Sequence, residues 1–288
     1  MNYLRHFGLR EPPFSITPDT SFFFACRSSQ AALNTLLVAI NNGEGFLKII
    51  GEVGTGKTLL CRKFMGVLGN NWLTAYIPNP HLEPRALLLA LSDELSVPVD
   101  PGIDQYHLLR GITKALLDNA RAGNRAVLCM DEAQAMPLET LETLRLLTNL
   151  ETEKRKLLQV VLFGQPELDR KLASESTRQL RQRITFQHTL TAMARDEVAA
   201  YVAHRLAVAG YSRPKLFTRG ATALMHKGSR GMPRLINIVA HKAMLLAFGE
   251  GRSRVERRDI RGAAEDTPAV ASLRPWWWPR PRAARAME

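Results

Sequence analysis

The sequence is poor in cysteine: Cys26, Cys61 and Cys129 are the only three in 288 residues. That count and scatter exclude a disulfide framework or a zinc knuckle, and they point to buried thiols in a reducing compartment. Long apolar runs are missing too. The best, Leu87–Leu91 and Ala243–Phe248, are about a third of the roughly 18 residues that a membrane helix needs. The first residues, MNYLRHFGLREPPF, contain no apolar h-region, so no secretory signal is expected. Acidic residues are in deficit, with 27 Asp+Glu against 39 Lys+Arg, for a formal net charge of +12. No internal repeat and no long linker interrupts the chain. What is present is an ordinary globular composition, 45% hydrophobic and 23% charged, which rules out a wholly disordered or fibrous chain. The length suits one large or two modest domains. A soluble, basic, intracellular protein is expected. Its charge invites nucleic acid or an anionic membrane surface, but net charge alone decides neither.

The first 25 residues are rich in aromatics and proline, with Phe7, Phe14, Phe22, Phe23, Phe24, Pro12, Pro13 and Pro18. Such a segment cannot be a regular helix and is too apolar to float free, so an arm packed on the first domain is expected. Ser28 and Ser29 offer N-caps for a helix ending near Gly43. Alternation then sets in. Strands are expected at Phe46–Ile50, Leu73–Ile77, Ala126–Met130, Leu158–Phe163 and Ile184–Leu190. Helices are expected at Lys57–Leu68, Pro84–Leu95, Gln105–Arg121 and Leu138–Leu150. This pattern predicts an α/β fold, a mainly parallel sheet covered by helices on both faces. After residue 190 the strands stop. Val198, Tyr201, Val202, Leu206 and Ala209 recur at helical spacing, and further helices are expected at Arg219–Lys227, Arg234–Phe248 and Glu256–Ala264. The expected domains are therefore 1–190, a helical module over 191–266, and a basic tail over 267–288 carrying Trp276–Trp278.

The strongest motif is Gly51-Glu52-Val53-Gly54-Thr55-Gly56-Lys57-Thr58, a complete G-x-x-x-x-G-K-[ST] between an expected strand and helix. Its glycines let backbone N–H groups turn inward around phosphates, and the helix N-terminus adds its positive end. Lys57 is expected on the β- and γ-phosphates of ATP, and the Thr58 hydroxyl on Mg²⁺. The second motif delivers Asp131 and Glu132 at the end of the strand Ala126–Met130, where ligands bind in open α/β sheets. Asp131 is expected to hold Mg²⁺ through water, and Glu132 to polarise the attacking water. Gln165, after the strand Leu158–Phe163, is a candidate to hold that water or to sense the γ-phosphate. Arg181 and Arg183, before the last strand, and Arg234, opening a helix of the C-terminal module, are suited to developing phosphate charge.

In this order the motifs resemble those of AAA+ ATPases, P-loop proteins with a helical lid. More narrowly they are similar to the bacterial general secretion pathway A type, and within it to the short MSHA pilus biogenesis M branch. Phe7-Gly8-Leu9, Glu11, Pro13-Phe14 and Thr17-Pro18-Asp19 carry this likeness together with Gly51 to Thr58 and Met130 to Gln134. Phe163 to Leu168, Leu180 to Ile184 and Gly231 to Asn237 complete it, so the likeness spans about residues 4–265. The resemblance implies Asp131 and Glu132 as the Walker B pair, Gln165 as sensor 1, Arg183 or Arg181 as the arginine finger and Arg234 as sensor 2. Asn79 becomes a candidate partner restraining Glu132. It further implies a cytoplasmic or inner-membrane-associated homo-oligomer that helps assemble a type IV pilus or a type II secretion apparatus. The secretion members carry a membrane helix and a periplasmic region after the lid, and neither is expected here. A membrane contact through the Trp-Arg tail fits this setting. The alternative is a DNA-binding AAA+ ATPase of the transposition-helper kind, motivated by the charge. No helix-turn-helix follows the lid, and the basic residues are spread rather than striped. A nucleotide-dependent scaffold without turnover is the third possibility, and an intact Glu132 weighs against it.

Overall fold

The computed structural model describes residues 3–100, 102–153, 155–271 and 273. The chain begins with α1 (Tyr3–Phe7), α2 (Arg27–Asn41), β1 (Phe46–Gly51), α3 (Lys57–Val67) and β2 (Trp72–Ile77). It continues with α4 (Pro84–Glu94), α5 (Gln105–Arg121), β3 (Arg125–Met130), α6 (Leu138–Leu147) and β4 (Gln159–Gly164). Then come α7 (Pro166–Leu172), α8 (Arg178–Arg181), β5 (Phe186–Leu190), α9 (Arg195–Val208), α10 (Arg219–Ser229), α11 (Pro233–Gly249) and α12 (Arg257–Glu265). Two compact units result. One is Pro18–Ala192; the other joins the residues up to Thr17 to those from Met193 on.

In the α/β unit the five strands are all parallel, in the order β2-β3-β4-β1-β5. Side chains alternate between the two faces of a strand. Phe46, Ile50, Leu128, Met130, Val160 and Leu162 accordingly pack with Leu87 and Leu91 of α4, Leu108 and Ile112 of α5 and Leu141 of α6. Leu47, Ile49, Val127, Cys129, Val161 and Phe163 pack on the other face with Leu33 and Leu36 of α2 and Leu60, Cys61 and Phe64 of α3. Both faces are covered, which is why the central strands β1, β3 and β4 are nearly continuous apolar runs, whereas the edge strand β5 alternates polar and apolar residues. Each of these fully buried side chains contributes about 1.5–3 kcal/mol. Lys48 is the exception within β1, and it is buried in an ion pair with Asp169 of α7. All three cysteines are buried free thiols.

The expected last strand begins later than predicted, at Phe186. The N–H groups of Arg183 and Ile184 still bond back to Leu180 and Arg181, at 2.9 and 3.2 Å. Ser28 and Ser29 lie inside α2 rather than capping it: Ser29 Oγ donates to the Cys26 carbonyl at 3.0 Å, and Ser28 Oγ accepts the Thr191 N–H at 2.9 Å. Gly43, with φ +83°, ends that helix as expected.

The helical unit consists of α1 and α9 to α12 around Val198, Leu206, Ile236, Val239, Met244 and Ile260. It corrects the expectation of an arm packed on the first domain. Residues up to Thr17 belong here, and they include a short helix, α1. Phe14 meets Phe217 edge-on at 5.8 Å, His6 meets Phe248 at 5.3 Å, and the Arg10 N–H donates to the Ala209 carbonyl at 2.9 Å. The expectation holds only from Pro18, whose carbonyl accepts from Arg62 of α3 at 2.9 Å, through Phe23, which lies under Lys63. Among the described residues no helix is long and apolar enough to cross a membrane. Trp276–Trp278 and the arginines around them lie outside the described residues.

Candidate nucleotide site

Strand order brings the C-terminal ends of β3, β4 and β1 side by side, with Met130 beside Leu162 and Ile50 beside Gly164. The loop after β1 closes on itself: the Thr55 N–H and hydroxyl both donate to the Glu52 carbonyl, at 3.2 and 2.8 Å. Gly54 and Gly56 take φ of +83° and +97°, a region that favours glycine. Gly51 has no room for a side chain, since a Cβ there would sit 2.6 Å from Thr55 Oγ1 and 3.1 Å from Leu190 Cβ. Gly56 is the N-cap of α3 and offers no side-chain cap, so the N–H groups of the first turn face the loop unshielded by one. Lys57 is buried, and its Nζ folds over the loop to donate to the carbonyls of Gly51 (2.7 Å) and Glu52 (3.2 Å). Burial holds its ammonium below the usual lysine range, opposed by the carboxylates of Glu132 and Asp131.

Thr58 Oγ1 donates to Asp131 Oδ2 at 2.5 Å. A hydroxyl beside a buried carboxylate, next to a glycine loop that leads into a helix N-terminus, is an all-oxygen donor set that fits Mg²⁺ accompanying a polyphosphate. Burial raises the Asp131 carboxyl, opposed by the Thr58 hydroxyl and the Glu132 N–H, which donates to Oδ1 at 3.0 Å. Glu132 has φ +50°, a strained position for a residue with a side chain, and turns the chain into a short 3-10 segment, Ala133–Ala135. Burial pushes its carboxyl up. Hydrogen bonds from Gln134 and Gln165, with the charge of Lys57, outweigh that and hold it below the usual carboxylate range.

The expected residues of the loop, Asp131, Glu132 and Gln165 therefore converge. Gln165 Nε2 donates to Glu132 Oε2 at 3.0 Å. Asn79 does not join them: its Oδ1 accepts the His81 N–H at 3.4 Å. The restraining partner of Glu132 is instead Gln134, whose Nε2 donates to Oε2 at 2.5 Å. Sequence reasoning missed Gln134, although it is the only polar side chain in the run Ala133-Gln134-Ala135-Met136. It also missed Lys171 of α7, whose Nζ donates to the carbonyls of Gln134 (2.6 Å) and Met136 (2.5 Å).

Arg181 and Arg183 lie at the opposite end of the sheet. They precede β5, whose Phe186 pairs with Leu47 near the start of β1. The six residues of β1 separate them from the loop by about 20 Å of strand. Arg181 is exposed; Arg183 is half-buried and donates to Thr148 Oγ1 at 3.3 Å. Arg234 is exposed in the first turn of α11, within the helical unit.

The model of the AAA domain family matches residues 40–172. The chain is 42% identical over 274 residues, 95% of its length, to the general secretion pathway protein A of Aeromonas hydrophila, and it spans 50% of that protein's length. Among solved structures it is similar to Cdc6p from Pyrobaculum aerophilum, with a TM-score of 0.70 at 18% identity over 88% of this chain and 70% of that one. The ORC1 protein of Aeropyrum pernix, solved in complex with DNA, is similar with a TM-score of 0.63 at 17% identity, over 89% and 69%. The chain is thus similar to the AAA domain family over residues 40–172, and it has the P-loop AAA-type fold.

Proposed function

We propose that this chain binds ATP with Mg²⁺ and hydrolyses it, serving as a homo-oligomeric assembly factor for a type II secretion apparatus or an MSHA-like type IV pilus. The observation that carries the chemistry is the convergence of Lys57, Thr58, Asp131, Glu132 and Gln165 at three adjacent strand ends. The amides of the loop and the Lys57 ammonium take the phosphates, Lys57 exchanging its carbonyl partners for phosphate oxygens. Thr58 and Asp131 hold the Mg²⁺, which neutralises phosphate charge. Glu132 draws the proton from the attacking water, and Gln165 meets the γ-phosphate. Arg181 or Arg183 acts on the nucleotide of another copy, since about 20 Å of strand keeps both from their own; Arg234 is the sensor from the helical unit. The pathway rests on the likeness to the secretion protein over 95% of this chain. We place the oligomer at the cytoplasmic face of the inner membrane, with the Trp-Arg tail as its contact.

Phosphate release and ATP retention by the wild type, Lys57→Ala and Glu132→Gln test this. Lys57→Ala is expected to lose ATP retention. Glu132→Gln is expected to retain ATP while turnover falls by about 10²–10⁴-fold, the contribution of a general base. Undiminished turnover in Glu132→Gln would overturn the assignment. The net charge of +12 favours one other reading, a DNA-dependent ATPase. Filter binding of duplex DNA at physiological salt decides it, and no retention at micromolar protein removes it.

A further inference from the structure

One side chain joins the proposed base to the proposed sensor. Gln134 Nε2 donates to Glu132 Oε2 at 2.5 Å, and Gln134 Oε1 accepts the backbone N–H of Gln165 at 2.9 Å. Gln165 Nε2 closes the triangle on the same Glu132 oxygen at 3.0 Å. Gln134 is itself held from behind, since Lys171 Nζ fastens the carbonyls on either side of Ala135, those of Gln134 and Met136. Gly164 lies beside it: a Cβ there would touch Gln134 Oε1 in ordinary contact at 3.4 Å and would collide with Leu168 Cδ2 at 2.7 Å. Glu132, strained at φ +50°, stays in place only if its surroundings hold it, and Gln134 supplies its shortest hydrogen bond.

We propose that Gln134 is a positioning residue that ties the Glu132 carboxylate to the backbone of Gln165, so that the Gln165 side chain can turn to the nucleotide while the base stays oriented. This rests on the ATPase reading above. The two ends of the Gln134 amide do different work. The Nε2 end restrains Glu132, and the Oε1 end fixes the start of α7. Of the two donors on Glu132 Oε2, only Gln165 Nε2 can leave without unfastening the backbone, because the Gln165 N–H remains on Gln134. Removing Gln134 therefore leaves Glu132 and Gln165 joined only through the Gln165 side chain; once that side chain turns to the nucleotide the two move independently, and the geometry for attack is lost while the phosphate cradle is untouched.

Two variants of the full chain separate the two ends. Gln134→Leu keeps the volume and removes both bonds. Gln134→Glu keeps an acceptor for the Gln165 N–H, loses the donor to Glu132 and sets a second carboxylate against it. The readouts are hydrogen exchange at the Gln165 amide, retention of a fluorescent ATP analogue, and steady-state kcat and KM. In Gln134→Leu the Gln165 amide is expected to exchange about tenfold faster or more. Its kcat is expected to fall about 10- to 100-fold, with KM and analogue retention near wild type. Gln134→Glu is expected to lose kcat similarly while the Gln165 amide stays protected, which also shows that the fold is intact. Wild-type exchange at Gln165 in Gln134→Leu overturns the tie, and a rise in KM without loss of kcat overturns the positioning role. If the wild type releases no phosphate at all, the ATPase reading fails by itself, and the exchange contrast between the two variants still decides whether Gln134 makes the tie.

Discussion

Asp259 carries a charge into the core of the helical unit, and three donors meet it there. Arg252 reaches it bidentately, at 2.9 and 2.5 Å, and the Glu256 N–H donates at 2.7 Å. Burial pushes the Asp259 carboxyl up, but these bonds and the Arg252 charge prevail and hold it below the usual range. A carboxyl whose pKa is lower in the folded chain stabilises the fold fully above its unfolded value of about 3.9 and loses that contribution as pH falls through the folded value. Asp259→Asn is expected to cost roughly 3 kcal/mol at neutral pH. Thermal unfolding should show the gap between wild type and variant closing as pH drops below about 4; a gap independent of pH would refute the ion-pair account. At the proposed nucleotide site, Lys57 and Thr58 stand out because the loop motif is written in contiguous residues, and Asp131 and Glu132 because an apolar strand ends on them. Gln134 and Lys171 do not: Gln134 meets Gln165 across 31 positions and Lys171 across 37, and only the sheet brings them together. Gly51→Ala is a residue-scale test of the loop. The collision with Thr55 should abolish ATP-analogue retention while far-UV circular dichroism stays unchanged.

Elements were legible to the degree that burial imposed a pattern. The central strands β1, β3 and β4 stand out as apolar runs, whereas α7, with 7 residues, is under two turns and too short for a helical period. Pro166 at its first position was the one available signal. The N-terminal arm shows a different limit. Phe7 and Phe14 declare that they will be buried, but aromatic residues do not say against what. Its anchor is polar. Buried Arg205 of α9 donates to the carbonyls of Pro13 and Ser15 and to the Tyr201 hydroxyl, which donates to Asn237 Oδ1 at 2.8 Å. Asn237 Nδ2 donates in turn to the Ser15 carbonyl at 3.3 Å. Arg205→Ala removes the donor to the Pro13 carbonyl and to the Tyr201 hydroxyl, leaves the Ser15 carbonyl with Asn237 alone, and is expected to destabilise the helical unit by about 2–4 kcal/mol. Chemical denaturation would measure this, with faster proteolysis of residues 3–17 as the accompanying sign. Arg205→Lys should restore only part, because one ammonium cannot replace a planar fork.

At the scale of the whole molecule, the chain leaves the helical unit at Thr17 and returns to it at Met193. The α/β unit is thus an insertion, and residues 18–192 expressed alone are expected to unfold cooperatively. Residues 193–273 without the arm should not fold, since Phe14 and the Pro13 and Ser15 carbonyls are part of their core. Recovery of a folded C-terminal fragment would count against this division. The arginines before β5 belong to the same scale. Subunits carrying Arg181→Ala with Arg183→Ala, mixed with Lys57→Ala subunits, should regain phosphate release that neither has alone; no rescue at any ratio removes the action across copies.

The split helical unit also has a history during synthesis. The arm emerges before its partners, since the helices that bury Phe7 and Phe14 begin only after an inserted stretch running from Pro18 to Ala192. Synthesis of that stretch takes about 9–35 s at translation rates of roughly 5–20 residues per second. For that interval the arm's aromatic side chains remain on the nascent chain without their partners, while the α/β unit has time to complete itself. Residues made before the α/β unit find their place only after it is complete.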